Sequence, residues 1–322
     1  MQETEQEGEM SLNLTTNEPP YLKSSDNTRK VMLTVIAALL PAVIAGTYFF
    51  GPRAFLLIVV CVSTCVVSEF LIQRLRGVKT TIGDLSAVLT GLLLALVLPP
   101  GLPLWAAVLG AVVSIFLGKQ IFGGLGANIF NPALIGRAFL TATFPVMMTA
   151  WTKPFSLEAV TTATPLGLMK FEGVGTSVSA LLMGNTAGCI GETSAIALIL
   201  GGIFLLFRKA ADWRIPLGYL SAVAACSFLL NCFNPSKYPS VNFEILAGGL
   251  LIGAIFMATD PATSPITKKG RWIFAVGCGL ITIIIRRWGG LPEGVMYSIL
   301  FMNALRPLID RYTRPVCFGG AL

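Results

Sequence analysis

The chain contains no histidine. That absence removes imidazole proton relays, haem ligation through His, histidine-bearing zinc sites and Ser-His-Asp triads together. Charge is scarce too. Asp, Glu, Lys and Arg make up 12% of the 322 residues, against roughly 25% in a soluble globular chain. The seven cysteines (Cys61, Cys65, Cys189, Cys226, Cys232, Cys278 and Cys317) include no Cys-x-x-Cys pair, the spacing that zinc ribbons and thioredoxin-like sites need. Most fall inside apolar runs. Cys61 and Cys65 share one helix face; they read either as an iron–sulfur contribution or, more commonly, as small buried residues. No glycine-rich nucleotide fingerprint is present. The sequence therefore points to no catalytic residue of its own and no metal site.

What is abundant is apolar surface. Hydrophobic residues are 54% of the chain and the mean hydropathy is +0.76, which places it in a bilayer. The net charge is +7, but the basic residues punctuate apolar stretches, as membrane topology requires. They form no patch for nucleic acid. Residues 1–29 carry Glu3, Glu5, Glu7, Glu9 and Glu18 and few apolar side chains, the composition of a disordered tail. No cleavable leader is expected, because the first apolar run starts at Val31 behind that tail.

Ten runs approach the ~20 residues that cross the hydrocarbon. In the first half they are 31–50, 54–72, 84–98, 104–117 and 132–150. In the second they are 195–207, 215–232, 243–257, 272–285 and 295–309. The expected fold is an all-α polytopic membrane protein of about ten transmembrane helices. Its parts are a cytoplasmic tail (1–29), a membrane repeat (30–150), an external loop (151–192), a second repeat (193–310) and a cytoplasmic tail (311–322). With both termini inside, basic residues on inner loops outnumber those on outer loops by more than two to one, which sets the orientation. Arg286 and Arg287, on the outer side, run against it.

The halves resemble each other. Gly91-Leu-Leu-Leu-Ala-Leu recurs as Gly249-Leu-Leu-Ile-Gly-Ala, and Phe122-Gly-Gly-Leu as Trp288-Gly-Gly-Leu. Two inverted five-helix repeats follow, with broken or re-entrant helices at Gly123–Arg137 and Met257–Pro265, the arrangement that builds a site near the midplane. Asp84 and Glu244 lie near the starts of helices that the repeat pairs, and read as ion-path acids or as N-caps. Asp260 sits at membrane depth, where acids default to a functional reading, or it caps a half-helix. Arg137 and Arg306 read as functional, or as cations that snorkel or pair with backbone carbonyls.

The stretch Glu158-Ala-Val-Thr-Thr-Ala-Thr-Pro-Leu166 stands apart in the long polar segment. Pro165 biases Thr164 toward an extended backbone, β-branching stiffens its side chain, and Ala163 leaves room beside it. Such a hydroxyl is open to a modifying enzyme. A second glycine-spaced loop runs over Gly184–Thr193.

Three motifs, Gly126–Arg137, Thr161–Leu166 and Met257–Pro265, resemble those of the NqrB/RnfD family. That family holds the D-type component of the Rnf ferredoxin:NAD+ oxidoreductase complex and the B-type component of the sodium-translocating NADH:quinone oxidoreductase. The resemblance spans roughly residues 30–312. It implies covalent FMN, placed on Thr164 through a phosphoester by an ApbE-type flavin transferase, so that the chain is chemically a phosphoprotein. Thr161, Thr162, Ala163, Pro165 and Leu166 frame the site. Glu158 stands where Asp is usual and Thr162 where Gly is usual. Lys153 or Lys170 would offset the phosphate charge, and the Gly184–Thr193 loop would lie near the ring.

The resemblance also suggests a second, non-covalent flavin such as riboflavin. It further implies a multi-pass inner-membrane component of a Na+- or H+-translocating electron-transport complex, with Thr164 on the outer face. Its partners are the other membrane and peripheral Rnf subunits, which handle ferredoxin and NAD+. Two other classes remain: a small-solute channel or transporter with the same repeat and no flavin, and a structural anchor whose redox centres lie on partners.

Overall fold

The computed structural model describes residues 27–155, 161–235 and 238–314, with backbone only for Thr161 and Thr162. Helix α1 (Thr28–Phe50) and helix α2 (Pro52–Leu75) are joined by Gly51 alone, at φ 73. A side chain at that left-handed angle is strained, so the glycine permits the reversal, and Pro52 pre-sets the first turn of α2. The two helices turn Leu40, Ile44, Phe55, Val67 and Leu71 outward. An apolar exterior suits lipid, not water.

Helix α3 (Ser86–Leu96) has 11 residues. At 1.5 Å per residue it covers roughly half of a ~30 Å hydrocarbon layer. Helix α4 (Leu104–Ile115) continues through a π turn over Phe116–Gln120. Helix α5 (Pro132–Thr143) starts where the Asn131 side chain accepts the Ala133 and Leu134 N–H groups. It stops at Phe144-Pro145, short of the Ala150 expected from hydropathy, because Pro145 lacks the N–H to continue it. Helix α6 (Pro145–Met148) is a single turn.

The polar segment is folded. Strand β1 (Trp151–Thr152) pairs antiparallel with β2 (Thr161–Thr162), Trp151 opposite Thr162. Helix α7 (Pro165–Gly167) runs into a π turn at Leu168–Glu172, and α8 (Val178–Met183) follows. The second half has α9 (Ala195–Phe207), α10 (Arg214–Phe233), α11 (Val241–Leu246), α12 (Leu250–Ile252), α13 (Lys268–Trp288) and α14 (Val295–Tyr312). The run expected over 243–257 is broken at Ala247–Gly249, with Gly248 at φ 69; a π turn over Gly253–Met257 extends α12.

Helix α2 packs on α3 and α4, and α4 on α5; α10 packs on α11 and α13, and α13 on α14. The halves meet where α1 lies on α9 and α5 on α14. Small residues set the close approaches, as at helix interfaces in lipid. A Cβ on Gly91 would fall 2.6 Å from Val62 Cα, and one on Gly279 2.6 Å from Ala222 Cβ. Among the described helices, α1, α2 and α10 are long and apolar enough to cross a membrane.

Candidate functional site

The turn at Thr164 is built as its sequence requires. Pro165 holds Thr164 extended (φ −67, ψ 157), and Thr164 Oγ1 accepts the Gly167 N–H at 3.1 Å. Thr164 is thus the N-cap of the turn, half-buried beside an exposed Ala163, while Pro165, Leu166 and Gly167 are buried. A Cβ on Gly167 would stand 3.2 Å from Thr164 Oγ1, so glycine keeps the space beside the hydroxyl clear. Leu166 packs with Leu181, Phe243 and Ala247, which fastens the turn to α8 and α11. Glu158 lies outside the described residues, as do the side chains of Thr161 and Thr162.

Lys170, the expected phosphate partner, meets backbone carbonyls in this structure. Its Nζ donates to Gly289 O (2.6 Å), Leu291 O (2.8 Å) and Ile285 O (3.4 Å). It therefore caps the C-terminal end of α13, where carbonyls lack helical partners and a cation is favoured. Partial burial, then the nearby Arg287 guanidinium, lowers its pKa from the ordinary lysine value. Lys153 is exposed.

Beneath the turn lies Gly248. A Cβ there would sit 2.5 Å from Leu166 Cδ1, 2.7 Å from Glu293 Oε1 and 3.5 Å from an Arg286 nitrogen. Glu293 Oε1 accepts the Gly249 N–H at 2.7 Å, and its Oε2 accepts from Arg137 at 2.7 Å. The Arg137 guanidinium also lies 3.6 Å from Glu192 Oε1 and 3.5 Å from Cys189 Sγ. Arg137 comes from α5 and Glu293 from the turn before α14, so this ion pair ties the first half to the second. Arg137 neither snorkels nor pairs with carbonyls here; it holds two carboxylates.

Glu192 is contributed by the Gly184–Thr193 loop. That loop docks inward, with Gly191 N–H on Leu96 O (2.7 Å) and Ile190 N–H on Leu98 O (3.2 Å). Its backbone satisfies the broken end of α3. Arg286 and Arg287, which run against the charge count, are helix residues of α13. Arg286 donates to Glu244 Oε2 (2.8 Å) and Glu244 O (2.7 Å), and Arg287 pairs with the same carboxylate. Glu244 is accordingly a buried acid with two guanidinium partners.

Asp84 stands one place before the N-cap residue Leu85 of α3 and is not itself the cap; its Oδ1 accepts the Ser86 N–H at 2.8 Å and the Ser86 hydroxyl at 2.6 Å. Asp260 organises its own turn, accepting from the Ala262 N–H (3.2 Å) and the Thr263 hydroxyl (3.3 Å). It also borders a cavity with Ser86, Lys119, Asn128, Asn131 and Phe256. Arg306 donates to Ala262 O in the same turn. The Asn303 amide lies between Thr263 O (3.3 Å) and Asn131 N (3.2 Å), and Asn131 Nδ2 donates to Met257 O at 3.2 Å. The two broken regions therefore meet through asparagine amides. Cys61 and Cys65 are fully buried, with Cys65 Sγ directed at Ala111 O.

Four ionisable residues, Glu69 and Lys119 fully buried and Glu192 and Glu293 partly so, are not singled out by sequence reasoning. Lys119 Nζ sits 2.6 and 2.8 Å from the Glu69 carboxylate, with Gln73, Gln120 and Ser86 completing the shell. Glu69 lies inside an apolar run, and that placement is a usable signal, since an acid within a span defaults to a role. Lys119 reads in sequence as a loop cation. Glu192 and Glu293 lie in polar loops and carry no sequence signal for depth.

A family model for the NQR2, RnfD, RnfE family matches residues 15–319. Three relatives, each the D-type component of its complex, share most of the chain. The one from the proton-translocating ferredoxin:NAD(+) oxidoreductase complex of Clostridium ljungdahlii is 43% identical over 317 residues, covering 95% of this chain and 96% of that protein. The one from the Na(+)-translocating ferredoxin:NAD(+) oxidoreductase complex of Acetobacterium woodii is 45% identical over 312 residues, covering 96% of each. The one from the ion-translocating oxidoreductase complex of Stutzerimonas stutzeri is 40% identical over 324 residues, with 90% and 92% covered.

Proposed function

The chain belongs to the NQR2, RnfD, RnfE family, and from that membership we propose that it is the D-type membrane component of an ion-translocating ferredoxin:NAD+ oxidoreductase complex, with covalent FMN on Thr164. The observation that carries the flavin is the Thr164 turn. Its hydroxyl is held in an extended backbone at the start of a helical turn, and Gly167 leaves the flank of Oγ1 open. An ester phosphate there sits at the positive end of the turn. Once bound, FMN would relay electrons, while the protein fixes its position and tunes its potential. Leu166 anchors the turn on α11, and Lys170 locks it to the end of α13.

Ten membrane segments in two inverted repeats, with the termini inside and Thr164 outside the inner membrane, complete the reading. The matching packing of α2, α3, α4 and α5 with α10, α11, α13 and α14 supports it. So does the pairing of Arg286 and Arg287 with Glu244, because cations buried against an acid are not loop charges and drop out of the orientation count. Among relatives, one is named for protons and another for sodium, so the coupling ion is not a property of the family as a whole. Other membrane subunits and a flavin transferase are the implied partners.

The test is fluorescence of the denatured chain under ultraviolet light, wild type beside Thr164→Ala, each co-expressed with an ApbE-type transferase. A fluorescent band lost in the variant is expected. A dark wild-type band, with the transferase active on a second substrate, overturns the flavin and returns the solute-channel alternative.

A further inference from the structure

The Arg137–Glu192–Glu293 cluster has more acid than its cation answers. Arg286 lies across Gly248 from Glu293, but its own hydrogen bonds go to Glu244 and to Ala247 O, leaving Arg137 as the one guanidinium in contact with both acids. Each Glu293 oxygen has a donor, the Gly249 N–H on Oε1 and Arg137 on Oε2. Glu192 is not so served. Its Oε2 accepts only a long 3.4 Å bond from the Cys189 N–H, while Oε1 is buried with no hydrogen-bond donor, its one ionic contact being the Arg137 guanidinium at 3.6 Å, on a side chain 5% exposed. Oε1 points into the cluster: a Cβ on Gly249 would lie 2.9 Å from it and 3.5 Å from Glu293 Oε1. An orphaned carboxylate oxygen at such burial is destabilising unless something fills the place.

The geometry points to Glu192 as a proton-binding site, with one exchangeable proton held on Oε1 and hydrogen-bonded toward the Glu293 carboxylate, directly under the turn that carries Thr164. The groups facing Glu192 are Cys189 on its own loop, Arg137 from α5, Glu293 from the turn before α14 and, beyond Glu293, Arg286 from α13. Two guanidinium groups around the pair disfavour a metal cation, which needs a shell of oxygens. A proton needs one acceptor and one donor direction, and both are present. Two carboxyl groups crowded against each other resist ionising together, which is the general reason such pairs share a proton. The site rests on and deepens the coupling reading above, because Leu166 and Glu293 touch the same glycine: charge added at the flavin is felt at the carboxyl pair. Binding itself involves only H+ adding to a carboxylate, with no oxidant or reductant.

The test is infrared spectroscopy of the purified complex in H2O and D2O, comparing wild type, Glu192→Gln and Glu192→Asp. The wild type should show a protonated-carboxyl stretch that shifts on deuteration; Glu192→Gln should lose that one band, and Glu192→Asp should move it. Spectra of wild type and Glu192→Gln that coincide in the carboxylic-acid region throughout the stable pH range overturn the proposal, as does a band unmoved in Glu192→Asp. Thr164→Ala serves as the separating control. A dark denatured wild-type band alongside an intact Glu192 carboxyl stretch sinks the flavin and leaves the proton site standing, and the reverse pattern does the opposite.

Discussion

Two buried ionic regions of this molecule are built on opposite plans. Around Glu69 and Lys119 the charges are one and one, at 0% and 1% exposure. The carboxylate there accepts from Lys119, Gln73 and Gln120, and Lys119 also meets Ser86. Around Arg137 one guanidinium serves two carboxylates, and Glu192 Oε1 is left without a donor. A fully satisfied pair stitches α2, α3 and α4 together and has no capacity to change. A partly satisfied one, at the seam between halves, can exist in two charge states. The first is structural, and the second is the place to look for coupling.

The comparison breaks most visibly through single-partner removal. Lys119→Met removes the one cation from the buried Glu69 carboxyl group, and should cost about 3–5 kcal/mol. The double variant Glu69→Gln with Lys119→Met should recover most of that, since neutral groups need no counter-charge. Thermal unfolding of the detergent-solubilised complex measures both. Glu192→Gln should cost only about 1 kcal/mol or less in the same assay, because the amide N–H can stand in for the bound proton toward Glu293. If Glu192→Gln proves as damaging as Lys119→Met, the two regions are alike and the contrast fails.

A second pair of variants asks whether the halves are stitched equally tightly. Gly91→Ala pushes a methyl to 2.6 Å from the Val62 Cα and 2.9 Å from Cys61 O; backbone cannot yield, so α2 and α3 must separate, at about 2–3 kcal/mol. Gly279→Ala meets the Ala222 methyl at 2.6 Å but backbone only at 3.0 Å, at Tyr219 O, and should cost about 1–2 kcal/mol. An equal or reversed order in the unfolding midpoints would show that the α10–α13 seam is the stiffer.

Much of the architecture is legible in the residue order. The apolar runs locate most helices to within a few residues, since hydropathy reports burial or lipid contact directly. Hydropathy misplaces the end of α5 and misses the break in 243–257, because proline and paired glycines interrupt a helix without lowering it. Thr164 stands out through its motif, and its extended backbone follows from Pro165. Glu192 and Glu293 escape because depth is a tertiary property: each sits in a loop that reads as polar and external, yet folds inward onto α3 and α5. Arg286 looks like a topology violation for the same reason. Its partner, Glu244, lies 42 positions away, and one sequence cannot announce that pairing.

The smallest effect expected is the most informative about the flavin-bearing turn. The motif calls for a phosphate beside Lys170, yet this side chain donates to three carbonyls at the end of α13. If that is its whole role, Lys170→Met removes charge-assisted bonds from a partly exposed group and costs about 1 kcal/mol. Hydrogen exchange over 165–172 should quicken, since the turn loses its tie to α13, while covalent flavin on the denatured band stays at the wild-type level. A drop in flavin loading with unchanged exchange would reverse the assignment. It would mean that Lys170 leaves the helix end to meet the phosphate, and that the satisfied contacts around it belong to the flavin-free turn alone.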